Sequence, residues 1–269
     1  MPRTAVPAPS GRPVVSGAAT ARVTRVAVER PAGFGAPVRV RTSDGLLAAR
    51  IVSRDGAHAE VALVAGGAML LGGDHVVVAV RVEAGCALTL TDVGGTVAYD
   101  GDGQDCRWDA DVRLGDGAAL FWAGLPFVVA TGADVRRTTT ARLGARARLT
   151  LRETVVLGRS GERGGRIVLR TDIGDDVGPI LVEELTAAGD HPVPGVLGDH
   201  PVIDTLAVVQ GTGAGSPGEH APTTAEAEAA PHLRDAITLR LDRGGTLTRW
   251  LGSATHLSPI DPDHDSAGR

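Results

Sequence analysis

The stretch HVVVAVRVEAG, residues 75–85, decides the fold class. Four valines alternate with a second set of residues, so that one face of the segment is entirely apolar: Val76, Val78, Val80 and Val82. This period of two predicts a β-strand with one strongly buried face. Segments 86–91, 118–122, 146–158, 165–174 and 202–210 have the same character, and helix-length apolar stripes are scarce. The sequence therefore predicts a mainly β protein, a stacked two-layer sheet or β-helix-like sandwich with minor helical additions.

A weak internal repeat supports stacked layers. A glycine followed by small residues and leucine opens a strand at 85–88 and at 117–120, and LGARARL at 143–149 is a looser third copy. The glycines that we align are Gly85, Gly117 and Gly144. Such regular spacing is typical of short strands that stack layer upon layer.

Composition divides the chain into five parts. Residues 1–20 predict a flexible tail, 21–210 a β domain, and 211–231, rich in Gly, Ala, Thr, Glu and Pro, a linker or insertion. Residues 232–257 predict C-terminal strands of the same β domain, with a turn at Gly244 and Gly245, and 258–269 a polar tail.

Charge and cysteine content restrict the class of protein. The formal net charge is −5, all 27 basic residues are arginine, and no basic block of the nucleic-acid-binding kind is present. No apolar run has the length of a membrane span, and the N-terminus has no apolar core of a secretion signal. Two cysteines are too few for a disulfide framework. We therefore expect a cytoplasmic protein that binds neither nucleic acid nor membrane.

Two acidic or histidine-containing segments could bind a metal. DGDGQDCRWDAD at 100–111 lacks the glycine that a calcium loop needs at its sixth position, so we interpret it as a solvated turn in which Cys106 is a weak soft-metal candidate. Gly-Asp-His-Pro-Val occurs at 189–193 and at 198–202, and proline holds the preceding His191 and His200 extended. We interpret both as loop geometry and predict no tight metal site. Nucleophile elbows, zinc-protease motifs, Cys-x-x-Cys and phosphate-binding loops are also absent from the sequence.

Several segments in order resemble the UreD family of urease accessory proteins, also called UreH. GGAMLLGGDHVVVAVRVEAGCALTLT at 66–91 is similar to the family's Gly-Gly, apolar, Gly-Gly-Asp and strand pattern. LFWAGLP at 120–126, RETVVLGRSGERG at 152–164 and PILVEEL at 179–185 resemble later family segments. The residues that match the motifs structurally are Gly72, Gly73, Gly85, Pro126, Gly158, Arg159 and Gly161.

The resemblance implies a maturation protein and not an enzyme. Members of that family act with UreF and the GTPase UreG on apo-urease, and help nickel to reach the urease active site. The implied cargo is a transient Ni²⁺, with no tightly bound cofactor. The carboxylates at the matched positions are candidates for a nickel route: Asp74, Glu153, Glu183 and, more weakly, Glu162.

Two other functions stay open from the residues alone. A β-rich adaptor that binds proteins without a metal role would have the same strand pattern. A metal-dependent hydrolase could use the Asp and His clusters. Arginine is abundant enough that each candidate carboxylate could instead be part of a structural salt bridge.

Overall fold

A computed structural model describes residues 22–30, 36–192, 195–212 and 236–262. About 59% of the described residues are in strands and 2% in helix, which confirms the mainly β prediction. A 3-10 turn at Thr255–Leu257 represents the minor helical addition. Among the described residues, no helix has the length and the apolar character that crossing a bilayer requires.

The described part of the chain contains seventeen strands. They are β1 (Val23–Glu29), β2 (Arg39–Ser43), β3 (Leu47–Asp55), β4 (His58–Ala65), β5 (His75–Val82), β6 (Ala87–Asp92), β7 (Thr96–Ala98), β8 (Cys106–Leu114), β9 (Ala119–Ala123), β10 (Phe127–Val129), β11 (Asp134–Leu143), β12 (Arg148–Leu157), β13 (Arg166–Asp175), β14 (Gly178–Ala188), β15 (Val202–Gln210), β16 (Ile237–Arg240) and β17 (Thr246–Gly252).

The strands form two sheets that the chain visits in alternation. The seven-stranded sheet has the order β14-β13-β11-β8-β5-β1-β2, and its five middle strands are parallel. The ten-stranded sheet runs β16-β17-β15-β12-β9-β6-β4-β3, and the short β10 pairs with β12 on one side and with the short β7 on the other. From β5 to β13 each turn of the chain adds one long strand to each sheet, and two of the turns also add a short strand, β7 or β10, to the ten-stranded sheet. The result is the stacked, solenoid-like two-layer arrangement that the sequence predicts.

The period-two pattern produces the core. The even-numbered valines of β5 are buried, and the residues between them are half-buried or exposed. The interior that both sheets cover consists mainly of Val, Leu, Ala and Ile, with few aromatic rings. Burying one Val, Leu or Ile side chain contributes about 1.5–3 kcal/mol. Many strands with the same alternating pattern therefore supply the burial that holds the two sheets together.

The turns between the sheets correct the predicted repeat. Strand register aligns Ala87 with Ala119 and Ala119 with Arg148, which makes Gly85 and Gly117 equivalent to Arg146 and not to Gly144. The three equivalent residues have φ of 69°, 62° and 56°. The predicted third copy was therefore wrong by two residues, because a side-chain-bearing arginine occupies the left-handed position that glycine takes in the other two turns.

Two predicted segments need further comment. The acidic stretch 100–111 is a turn only up to its middle, since β8 begins at Cys106 and the remainder is strand. The predicted tail 1–20, nearly all of the predicted linker 211–231 and the last seven residues of the polar tail lie outside the described residues. Their predictions stand as made.

Replacing Arg146 by glycine should stabilise the protein. A left-handed conformation costs an L-residue about 1–2 kcal/mol, whereas glycine adds about 0.5–1 kcal/mol of chain entropy to the unfolded state. We expect Arg146→Gly to raise the free energy of unfolding by about 0.5 kcal/mol in urea denaturation. Arg148→Gly, two residues later on exposed strand, is the matched control and should lower it. If both substitutions lowered the free energy of unfolding equally, the interpretation that Arg146 occupies a glycine position would be contradicted.

Candidate functional site

A row of polar residues crosses the inner face of the ten-stranded sheet. Register aligns Thr91, Ala123 and Arg152, so the residues that follow them lie at one level on neighbouring strands. Glu153 is aligned with Thr205, and Thr205 with Arg249. The row thus contains Asp92, Gly124, Glu153, Thr205 and Arg249.

A second polar row faces the first from the seven-stranded sheet. Thr139 is aligned with Thr171, and Thr171 with Glu183. Side chains of the two rows meet in the interior, where Thr139 donates to Glu153 and Arg249 to Glu183. We name these residues, together with Arg137, the interior polar band: Asp92, Arg137, Thr139, Glu153, Thr171, Glu183, Thr205 and Arg249.

Glu153 is paired with a buried arginine. Its Oε1 accepts from Arg137 Nε at 3.1 Å, from Arg137 Nη2 at 2.9 Å and from Thr139 Oγ1 at 2.9 Å. The Arg137 guanidinium lies 5.4 Å from the ring centre of Trp108 and 5.0 Å from that of Phe127, so it also makes cation–π contacts. Oε2 of Glu153 receives no hydrogen bond within the part of the chain that the structure describes. One oxygen is therefore fully used, and the other is available to water or to a cation.

Glu183 forms the second arginine–carboxylate pair of the band. Arg249 donates to it from Nη1 at 2.7 Å and from Nη2 at 2.6 Å, a two-pronged geometry that joins β14 of one sheet to β17 of the other. These hydrogen bonds lower the pKa of Glu183 below its ordinary value, although partial burial opposes the shift. Arg249 also donates from Nε to Thr205.

Glu153 and Glu183 line one cleft between the sheets. The remaining walls are apolar side chains with two threonines and Arg249: Leu151, Val155, Leu169, Thr171, Leu181, Leu185, Ile203, Thr205, Ala207, Leu247 and Arg249. The cleft encloses about 30 Å³ in which a water can sit, which is enough for roughly one or two molecules. The structure thus brings together two of the four carboxylates that the sequence singled out.

The other two candidate carboxylates hold loops at the edge where the chain passes from the ten-stranded to the seven-stranded sheet. Asp74 Oδ2 accepts from Leu71 N at 3.0 Å, and the backbone of the same two residues closes the turn. Glu162 accepts from the backbone and guanidinium of Arg159 and from Thr131 N, which lowers its pKa to about 2. Neither lines the cleft.

Asp92 is a member of the band that the sequence analysis missed. It accepts from Trp122 Nε1 at 3.3 Å and from Leu125 N at 3.1 Å, and burial raises its pKa despite these two bonds. Its position continues the inward alternation of Leu88 and Leu90, which was a usable sequence signal. Arg137 was also missed, although it shares the side of β11 that carries Val135, Ala141 and Leu143, and this alternation was a usable signal.

Among the described residues, Asp204 is the most deeply buried carboxylate, and it lies on the opposite face of β15. It accepts two hydrogen bonds from Arg152, at 3.0 and 2.7 Å, one from Thr154 at 2.8 Å and one from Ser258. Nearby, Ile260 packs on the same outer face of the ten-stranded sheet. This cluster fastens the segment after β17 to the sheet and has no opening to the cleft.

The weak metal candidates do not come together. Cys106 is buried, and burial with the nearby Asp74 and Asp105 raises the pKa of its thiol to about 11. His191 is 90% exposed with Asp190 at 3.9 Å, and His200 is exposed on its loop. Across 22–30, 36–192, 195–212 and 236–262, no group of three or more His, Cys, Asp or Glu residues could hold a metal ion.

The residues that match family motifs occupy tight turns. Gly158 has φ of 84°, and a Cβ there would lie 2.6 Å from the Glu162 carbonyl oxygen. Both the left-handed backbone conformation and the lack of space therefore exclude a side chain at this position. Arg159 pairs with Glu162 across the same turn. The Pro126 carbonyl accepts from Thr96 N. The remaining glycines also lie in inter-strand turns: Gly72, Gly73, Gly85 and Gly161.

The buried Arg137–Glu153 pair should be costly to break from one side. Glu153→Ala leaves the guanidinium without its carboxylate, and we expect a loss of about 3 kcal/mol of unfolding free energy. The double variant Arg137→Met with Glu153→Leu, which removes both charges, should be within about 1–2 kcal/mol of the parent. Chemical denaturation of the single and double variants measures both values. A Glu153→Ala loss below about 1 kcal/mol would show that the pair is hydrated.

The Glu183–Arg249 pair should make stability depend on pH. Because the folded pKa of Glu183 lies below its ordinary value of 4.5, its contribution is complete above that pH and disappears as the pH falls through the lowered folded value. Glu183→Gln should therefore lose about 1–2 kcal/mol at neutral pH and little in acid. Glu184→Gln, on the exposed side of β14, is the control and should show a smaller difference at neutral pH. A difference in unfolding free energy between the parent and Glu183→Gln that stays constant with pH would contradict this prediction.

Comparison with known proteins assigns the chain to a family. The sequence profile described as UreD urease accessory protein matches residues 20–257. Urease accessory protein UreD 1 of Streptomyces griseus subsp. griseus is 40% identical over 205 residues, which cover 76% of this chain and 79% of the relative. Urease accessory protein UreD 2 of Saccharopolyspora erythraea is 32% identical over 220 residues, 80% and 75% of the two chains. The resemblance predicted from the motifs is confirmed: this chain belongs to the UreD family of urease accessory proteins.

Proposed function

We propose that this protein is a non-catalytic scaffold of urease maturation. In the proposal it acts in the cytoplasm, docks on the urease apoprotein together with UreF-like and UreG-like partners, and helps Ni²⁺ to reach the urease active site. Membership of the UreD family supports the maturation role. The interior polar band supports the participation of this chain in passing the ion.

The band is the observation that carries the proposal. A two-layer β core needs only apolar inward rows, and each polar group placed there costs free energy unless it is paired. Here three carboxylates, two arginines and three threonines occupy adjacent levels between the sheets. Glu153 lines the cleft, and its Oε2 accepts no hydrogen bond from the described residues. A cation that enters the cleft would therefore meet one available carboxylate oxygen beside threonine hydroxyls.

The charge balance of the band favours passage over storage. Arg137 offsets Glu153 and Arg249 offsets Glu183, while burial raises the pKa of Asp92 and so opposes its ionisation. Oxygen ligands bind Ni²⁺ less strongly than imidazole or thiolate does. An ion that must leave again needs weak binding at several points, as ions in channel filters do. A closed His and Cys cage would instead retain the metal.

The size of the cleft adds a requirement. Its internal space accommodates about one or two waters, so it is too small for a fully hydrated divalent ion. In the proposal, docking of a partner widens the gap between β14 and the β15–β17 region. The Arg249–Glu183 pair ties β17 to β14 across the cleft, and Arg243, in the turn between β16 and β17, donates to the Gly178 and Pro179 carbonyls at the start of β14. Exchange of Arg249 for Ni²⁺ at Glu183 would release the first of these ties.

The route is confined to Glu153 and Glu183 in this proposal. Asp74 and Glu162 close loops at the sheet edge and do not reach the cleft. The alternative of a metal-dependent hydrolase has no support in the described geometry, because His191, His200 and Cys106 do not converge. An adaptor without a metal role is the remaining alternative, and the experiment below separates it from the route.

The test uses Glu153→Gln and Glu183→Gln, singly and combined, co-expressed with urease subunits and the two partner types. Glutamine keeps the side-chain volume and removes the charge. We expect urease activity and nickel content to fall by about tenfold in the double variant, while the complex still assembles in gel filtration. Circular dichroism and urea denaturation establish that the variants are folded.

Glu184→Gln is the matched control, since it changes the adjacent, outward-facing residue of the same strand. It should leave activation unchanged. A folded and assembled double variant that activates urease at the parental rate would disprove the route and leave the adaptor role. Failure of the parent chain to associate with UreF-like, UreG-like or urease proteins would disprove the scaffold itself.

A further inference from the structure

A row of arginines crosses the outer face of the seven-stranded sheet. Register places Arg41, Ala27, Arg81, Arg113 and Arg142 side by side on β2, β1, β5, β8 and β11. Four of these five adjacent positions are arginine, and the fifth is a small alanine. We name Arg41, Arg81, Arg113 and Arg142 the arginine row.

This arrangement is electrostatically unfavourable in the isolated chain. Neighbouring strands lie about 4.8 Å apart, and like charges directly opposite each other destabilise a sheet. Arg81 and Arg113 are direct neighbours, as are Arg113 and Arg142. Nothing in the packing of the core requires this row, because these side chains point away from the interior.

Intramolecular carboxylates neutralise the row unevenly. Arg41 and Arg142 have close partners, Glu29 at 3.0 Å and Asp172 at 2.8 Å. Arg113 has only Asp111 at 3.6 Å, and its side chain is 68% exposed. Arg81 forms no ion pair within the described ranges. The positive charge of the row is therefore concentrated on the two central arginines.

A surface cleft lies beside these two residues. Arg81, Arg113, Glu83, Ala84 and Gly115 contribute to its walls, and its volume is about 280 Å³. Glu83, the carboxylate in this wall, accepts from the backbone N of Arg30. Arg81 and Arg113 thus border an open space of the size of a few side chains.

We propose that the arginine row is a docking surface for an acidic segment of a partner protein. A guanidinium group binds a carboxylate through two parallel hydrogen bonds, and a row of them matches several carboxylates presented together. The chain as a whole has a formal charge of −5, so the row is a local reversal of its field. It therefore selects an acidic partner that the remaining surface repels.

A protein segment fits this surface better than nucleic acid does. The adjacent level of the sheet contains Asp111 and Asp172, so the positive strip is only one residue wide. A duplex needs a broad basic area to offset its phosphate charge. A narrow acidic peptide needs only the strip itself, where it would compete with Asp111 for Arg113 and would find Arg81 without an ion-pair partner among the described residues. This inference does not depend on the nickel route.

The experiment measures binding of fluorescein-labelled poly-L-glutamate to the full chain by fluorescence anisotropy. The test variant is Arg81→Gln with Arg113→Gln. The matched control is Arg54→Gln with Arg148→Gln, which removes two exposed arginines from the ten-stranded sheet. At about 0.01 M salt we expect the test variant to bind about tenfold more weakly than the parent, and the control within about twofold of it. The parent should lose affinity as salt rises toward about 1 M.

Three results would overturn the proposal. The first is absence of measurable poly-L-glutamate binding by the parent at low salt, and the second is an equal loss of affinity in the control variant. The third is tighter binding of a duplex DNA or of anionic phosphatidylglycerol vesicles through the same two arginines. Removing repulsion should leave the thermal midpoint of the test variant unchanged or raised, so unfolding does not explain a loss of binding.

Discussion

The face-to-face packing of two sheets is the constraint on which the rest of the structure depends. Each turn of the chain from β5 to β13 places one long strand in each sheet, and each of these strands must turn one side toward the other layer. Because side chains alternate along a strand, a shift of one residue would expose the whole apolar row. The register between parallel neighbours is therefore fixed at every level. Polar residues at equivalent positions of neighbouring strands consequently lie side by side and form a row across the sheet.

The interior polar band is such a departure. Two of its carboxylates are paired with arginines: Glu153 with Arg137 joins β12 to β11, and Glu183 with Arg249 joins β14 to β17. Buried pairs of this kind contribute little net stability compared with apolar packing, yet losing one partner is costly. Their presence is thus better explained by a function inside the sandwich than by stability. The unshared Glu153 oxygen and the cleft beside it agree with that explanation.

Arginine has two opposite uses in this molecule. In the interior, Arg137 and Arg249 are fully engaged by carboxylates, and Arg137 also lies against two aromatic rings. On the outer face, the arginine row leaves Arg81 and Arg113 largely unpaired at neighbouring positions. A chain without lysine must use the same side chain for both purposes, and only the pairing distinguishes them. The first use closes the space between the sheets, and the second leaves a surface ready for an anionic partner.

The sequence by itself determined the class of fold and the family. Alternation in HVVVAVRVEAG and its counterparts depends only on neighbouring residues, so strands such as β5, β12, β13 and β15 could be predicted, and the ordered motifs identified the UreD relationship. It also singled out Glu153 and Glu183. The tertiary structure alone decided that these two share a cleft while Asp74 and Glu162 hold loops. It also decided that Asp92 and Arg137 belong with them, and that Arg146 and not Gly144 completes the turn series. Those facts depend on register between strands 29 or more residues apart and on contacts between opposite sheets, and no local pattern encodes either.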